Sequence, residues 1–140
     1  MSRSLKGMFL FTDIGFVIYW VITYFELIPK AYLYQDYKNS LLVAWNWSFF
    51  PLDMCISMTG LISLYLHRKM DDRWRHAALI SLILTFCSGL QAIVFWVIRL
   101  DFDPAWWIPN LYLLLYPLFF IRSVLSGSKH IGQQGQSELF

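Results

Sequence analysis

Apolar residues come in four blocks separated by short polar stretches, from about Met8 to Ile28, Phe49 to Leu66, Ala77 to Ile98 and Trp106 to Ile121. At about 1.5 Å of rise per residue, each block approaches or exceeds a hydrocarbon core of about 30 Å. The pattern predicts an all-α fold, an integral membrane bundle of four transmembrane helices within residues 1–125. A Ser-, Gly- and Gln-rich stretch follows, and 126–140 reads as a disordered cytoplasmic tail.

Periodicity inside the blocks assigns faces. In the first, Ile14, Ile18, Val21, Ile22 and Phe25 form an aliphatic side expected to meet lipid. Thr12, Asp13, Tyr19, Trp20, Thr23, Tyr24 and Glu26 fall on the other side, where hydroxyls and acids find partners inside the bundle. The second block has Ser57, Thr59, Gly60 and Ser63 on one broad side, and the third has Ser81, Thr85, Ser88, Gly89 and Ala92 along one stripe. Small residues let helix backbones approach closely in lipid, so both are packing faces. In the fourth block Pro117 is internal and is expected to kink the helix. Between the first two blocks, Tyr32, Tyr34, Tyr37, Trp45 and Trp47 should hold a loop at the bilayer surface, with a short interfacial helix near Leu41 to Asn46.

Composition agrees with a membrane protein: 58% of the 140 residues are hydrophobic and 14% charged, against about 25% charged in soluble domains. The net charge of +2 arises from loops, so it speaks to orientation and leaves no basic groove for nucleic acid. Arg3, Lys6, Arg68, Lys69, Arg73, Arg75, Arg122 and Lys129 fall on one side of the predicted topology, and Lys30, Lys38 and Arg99 on the other. This asymmetry predicts cytoplasmic termini. Cys55 and Cys87 lack CxxC spacing, which argues against disulfide exchange and zinc; they read as buried free thiols at depths too different to bridge. No metal-ligand cluster, nucleophile–base motif or phosphate loop is present in the pattern, so neither a metal nor a cofactor is expected.

The stretch Trp45-Asn46-Trp47-Ser48-Phe49-Phe50-Pro51-Leu52-Asp53 stands out. Pro51 suits the first turn of a helix, which sets Asp53 about one turn inside an apolar segment. A carboxylate there costs at least about 2.5 kcal/mol, so it marks a functional candidate. The predicted topology brings Glu26, Asp53, Gln91, Arg99, Asp101, Asp103 and Asn110 to the outer half from four segments. The candidate ligand pocket therefore comprises Asp53, Glu26, Trp47, Gln91, Arg99 and Asn110, with Asp53 and Arg99 expected to interact. Asp13, nearer the cytoplasmic end with Arg122 as a possible partner, is a secondary candidate.

That nonapeptide, followed by Ser57 and Gly60-Leu61 and preceded by Thr12-Asp13-Ile14-Gly15-Phe16, resembles the YvaD-like family of small bacterial four-helix membrane proteins of unknown function. The resemblance implies a bacterial plasma membrane and a four-helix fold, and transfers no activity and no site residues. Three functions are compatible with the residues. One is a non-catalytic binding protein for a lipid or amphipathic cation, or a membrane partner subunit. Another is a proton-coupled transporter acting as a homodimer, with Asp13 or Asp53 exchanging the proton. The third is an isomerase of lipid- or sterol-like substrates using Glu26 and Asp53.

Overall fold

The computed structural model describes residues 1–32 and 37–137, with side chains in the last helix described as far as Ser126. Tyr34 and the last three residues of the expected tail lie outside the described residues. The helices are α1 (Arg3–Tyr24), α2 (Ser40–Ser48), α3 (Phe50–Arg68), α4 (Trp74–Ile98) and α5 (Pro104–Ser137), with one 3-10 turn at Lys30–Tyr32. Among the described residues no strand forms, and four helices are long and apolar enough to cross a membrane, α2 and α3 counting together as one. The backbone of α5 continues past the predicted end at Ile121.

Helix starts follow from local chemistry. The Ser2 and Asn39 side chains accept the Leu5 and Leu41 N–H groups at 3.2 and 3.0 Å, capping α1 and α2. Asp103 Oδ1 accepts the Ala105 N–H at 2.9 Å where α5 begins. The break between α2 and α3 falls at Phe49, two residues before Pro51. Proline removes the donor that the Trp47 carbonyl would otherwise meet, and the Phe49 N–H bonds that carbonyl and Asn46's instead.

Helix ends share one device. Glu26, Met70 and Leu100 take φ of 50°, 57° and 53° just past α1, α3 and α4. Leu27, Asp71 and Asp101 then return N–H groups to the Ile22, Leu66 and Trp96 carbonyls, each at 3.1 Å, the Schellman closure. A left-handed non-glycine residue costs roughly 1–2 kcal/mol. Leu100→Gly, at an exposed position, is therefore expected to raise stability by up to about 1 kcal/mol, read as a higher midpoint of thermal unfolding. An unchanged or lower midpoint would contradict the closure.

Packing runs from α1 to α3, α3 to α4 and α4 to α5. Leu5 and Phe9 of α1 close the bundle by joining Ala78, Leu82, Tyr116 and Val124 in one buried cluster. The predicted small-residue faces form the seams. Ser57 Oγ donates to the Asp13 carbonyl at 3.1 Å, Ser63 Oγ to Trp74 at 3.0 Å and Ser81 Oγ to Ile56 at 3.3 Å, each bond joining two helices. Thr59, by contrast, turns its hydroxyl back to the Cys55 carbonyl of its own helix. Ile14, Ile18, Val21 and Phe25 face outward as expected. Tyr24 and Glu26 do not face the bundle: they lie at the Schellman-closed C-terminal end of α1 and are exposed. Cys55 and Cys87 are free thiols on the outer surface rather than in the core, because each sits off its helix's small-residue seam.

Candidate functional site

Where α1, α3, α4 and α5 diverge beneath α2, they enclose a cavity of about 300 Å³. Seven aromatic side chains line it, Phe16, Tyr19, Trp20, Trp45, Phe49, Trp96 and Trp106. Polar groups are few, namely Asn46, Asp53, Ser88 and Asn110. This is the usual composition of a small-molecule site, an apolar enclosure with a few placed polar atoms.

Asp53, 4% exposed, is the one acid among the described residues that line the cavity. Its Oδ2 accepts Trp20 Nε1–H at 2.9 Å, and its Oδ1 accepts the Ser88 hydroxyl at a long 3.4 Å. The indole bond crosses from α1 to α3 and fixes the carboxyl plane; the weaker serine bond leaves Oδ1 room for a stronger partner. Rings buttress the indole: Trp47 and Phe50 lie 5.3 and 5.2 Å from Trp20. Over the mouth, Trp45 stacks on Phe95 at 3.8 Å and meets Trp96 edge-on at 5.7 Å. Beside it, Asn46 Oδ1 accepts the Tyr19 hydroxyl at 3.1 Å, while Asn46 Nδ2 is buried without an acceptor among the described residues. That amide leaves an oriented donor next to the aromatic walls.

Of the sequence-predicted set, Asp53 and Asn110 line the cavity. Asn110 Nδ2 donates to the Trp106 carbonyl at 2.7 Å. Trp47 stands one layer back, behind Trp20. Glu26 does not join Asp53: it is exposed in the left-handed turn after α1, paired with Lys30 at 2.7 Å. Gln91 is exposed, because it falls between Gly89 and Ala92 in sequence but off their shared face. Arg99 is exposed at the end of α4, with its guanidinium 5.8 Å from the rings of Phe95 and Trp96, and it does not line the cavity. Asp53 takes its hydrogen bonds from Trp20 and Ser88, so the expected pairing with Arg99 is replaced by an indole and a hydroxyl.

Residues 5–131 match the model of a family of unknown function, DUF5360. A relative from Bacillus subtilis (strain 168), titled "Uncharacterized protein YvaD", is 52% identical over 131 residues, 94% of this chain and 98% of the relative. The chain belongs to the DUF5360 family. No solved structure matches it.

This DUF5360 member holds a second buried acid deeper in the bundle. Asp13 is 0% exposed, and neither carboxyl oxygen has a hydrogen-bond partner among the described residues, so the expected contact with Arg122 does not form. The carboxyl group lies against Gly60, where an added Cβ would come within 2.7 Å of its Cγ. Nearby, Thr12 Oγ1 and Tyr112 Oη are 3.1 Å apart, and the Tyr116 hydroxyl is buried with no hydrogen-bond partner among the described residues. Sequence reasoning picked out Asp13 and Gly60 separately but gave no sign that they meet. It also missed Trp20 as the partner of Asp53, although the indole lay on the face assigned to the bundle interior.

Proposed function

We propose that this four-helix protein is a non-catalytic binding protein of the bacterial plasma membrane, with cytoplasmic termini and an outward-facing site for an amphipathic cation. The observation that carries the reading is one carboxylate, Asp53, enclosed by seven aromatic side chains in a cavity of about 300 Å³. A carboxylate balances a cationic head, ring faces attract it further, each contact contributing roughly 0.5–2 kcal/mol, and the apolar walls accept the ligand's body. Asn46 Nδ2 supplies a donor for an acceptor on the same ligand. A lipid ligand uses the same walls but leaves the carboxylate uncompensated, which favours the cation. The isomerase reading loses support because Glu26 lies outside the cavity.

Thermal unfolding across a library of lipids, neutral amphiphiles and quaternary ammonium compounds tests the reading. Ammonium compounds are expected to stabilise the protein, by about 2.7 kcal/mol at a hundredfold excess over Kd, and their neutral carbon isosteres are not. Ala92→Phe, which fills the cavity from α4, should abolish the effect. Equal stabilisation by cations and isosteres would remove Asp53 from the account.

A second reading, a proton-coupled transporter working as a homodimer, draws on Asp13, a buried carboxyl group with no hydrogen-bond partner among the described residues. Proton flux into liposomes driven by a cation gradient, lost in Asp13→Asn, would favour it over simple binding.

A further inference from the structure

At the opposite end of the bundle, where α1 and α4 begin, a smaller pocket of about 190 Å³ opens between α1, α4 and α5. Ser2, Leu5, Trp74, Arg75 and Ser123 contribute to its lining, and among the described residues no acid does. Arg75 Nε and Nη1 are both buried with no hydrogen-bond partner among the described residues. Leaving such donors unsatisfied is expensive, more so on a charged group. The Arg75 guanidinium is held in place by Trp74, whose ring lies 5.4 Å from its Cζ, and Trp74 is in turn anchored by the Ser63 hydroxyl on its carbonyl at 3.0 Å. One of the two acids in the turn before α4, Asp71, is already engaged: it takes the Arg73 N–H at 3.0 Å and the Arg73 guanidinium at 2.7 Å, contacts that hold its carboxyl below the usual carboxylate range. Ser2 Oγ accepts from the Leu5 N–H, which leaves its hydroxyl proton to donate.

We infer that this pocket binds the phosphate group of an anionic phospholipid, with Arg75 as the charged anchor and the Ser2 and Ser123 hydroxyls as further donors. A half-buried guanidinium with two buried, open donors calls for an anion with several acceptor oxygens, which phosphate supplies. Two helices begin at this pocket, so their N-terminal dipoles add to the attraction. Depth selects the source: the pocket lies at the ends of membrane-spanning helices, at headgroup level, and Leu5 and Val124 continue its wall toward the acyl region. Basic pockets between transmembrane helices bind anionic headgroups in this way. The site is separate from the Asp53 cavity and does not depend on its ligand.

The test is thermal unfolding of the full chain in nanodiscs of phosphatidylcholine alone or with phosphatidylglycerol, and in detergent with inorganic phosphate or chloride at matched ionic strength. Phosphatidylglycerol is expected to raise the wild-type midpoint by about 4 °C or more, Arg75→Gln to lose that rise, and Arg75→Lys to keep part of it. Native mass spectrometry of the wild type should show phosphatidylglycerol retained over phosphatidylcholine, a readout that survives if Arg75→Gln fails to fold. Equal retention of the two lipids, or an equal rise in wild type and Arg75→Gln, overturns the site. A rise with inorganic phosphate that Arg75→Gln abolishes keeps Arg75 as the anchor but overturns the lipid as the source.

Discussion

Gly89→Ala is expected to destabilise the bundle by about 3 kcal/mol, the upper end of the overpacking range. Alanine is the better helix former by about 1 kcal/mol, so propensity alone predicts the opposite sign. Sterics decide: a Cβ at Gly89 would lie 2.8 Å from Leu113 C and 2.9 Å from the Asn110 carbonyl oxygen, both backbone atoms of α5 that no rotamer change can move. Separating α4 from α5 would also disturb the cavity, since Ser88 and Ala92 line it from α4 and Asn110 and Leu113 from α5. Pro117 falls just beyond, and without an N–H it leaves the Leu113 carbonyl unpaired within the helix where α5 approaches Gly89 most closely. Gly7 and Gly15 provide the control, because a Cβ at either meets nothing within 4 Å. Alanine there should be neutral or stabilising. Midpoints of denaturation in mild detergent would check all three, and a neutral Gly89→Ala would show that α4 and α5 sit further apart than described.

Gly60→Ala is expected to cost a similar amount, about 3 kcal/mol, through a different contact. The new methyl would overlap the Asp13 carboxyl, with Oδ1 at 2.8 Å and Cγ at 2.7 Å. Asp13 has little room to retreat, being fully buried, with its own carbonyl held by Ser57 Oγ at 3.1 Å. The clash is with a side chain, so shortening that side chain relieves it. In an Asp13→Ala background, Gly60→Ala should become nearly neutral, a coupling of about 2 kcal/mol or more in a double-mutant cycle. Additive losses would mean that α1 and α3 meet elsewhere.

Much of this architecture is legible in the sequence because lipid simplifies the code. A helix satisfies its own backbone, so block length predicts the spans. Seams must admit close backbones, so Ser57, Gly60 and Ser63 on α3 and Ser81, Thr85, Ser88, Gly89 and Ala92 on α4 announced the packing faces that are buried here. The site was harder to read. Asp53 and Asn110 were recoverable because depth and azimuth along one helix suffice to place them. Glu26 was misplaced because a left-handed residue ends α1 and swings its side chain out to Lys30, and no glycine flagged the turn. Trp45 and Trp47 differ by two residues, about 200° on a helix, and only the register of the short α2 decides which lines the cavity. The Trp20 to Asp53 bond spans two helices, and no periodicity within one block encodes which indole meets which acid.

The central claim is that Asp53 and its aromatic enclosure form a cation site, and equilibrium dialysis of phenyltrimethylammonium against the purified protein tests it most directly. The account predicts about one cation bound per chain, and affinity at least about tenfold weaker in Asp53→Asn, a loss of 1.4 kcal/mol. Asparagine keeps an acceptor for Trp20 Nε1–H, so the variant should fold with the cavity intact and lose only the charge. Equal binding by the wild type and a folded Asp53→Asn would contradict the claim.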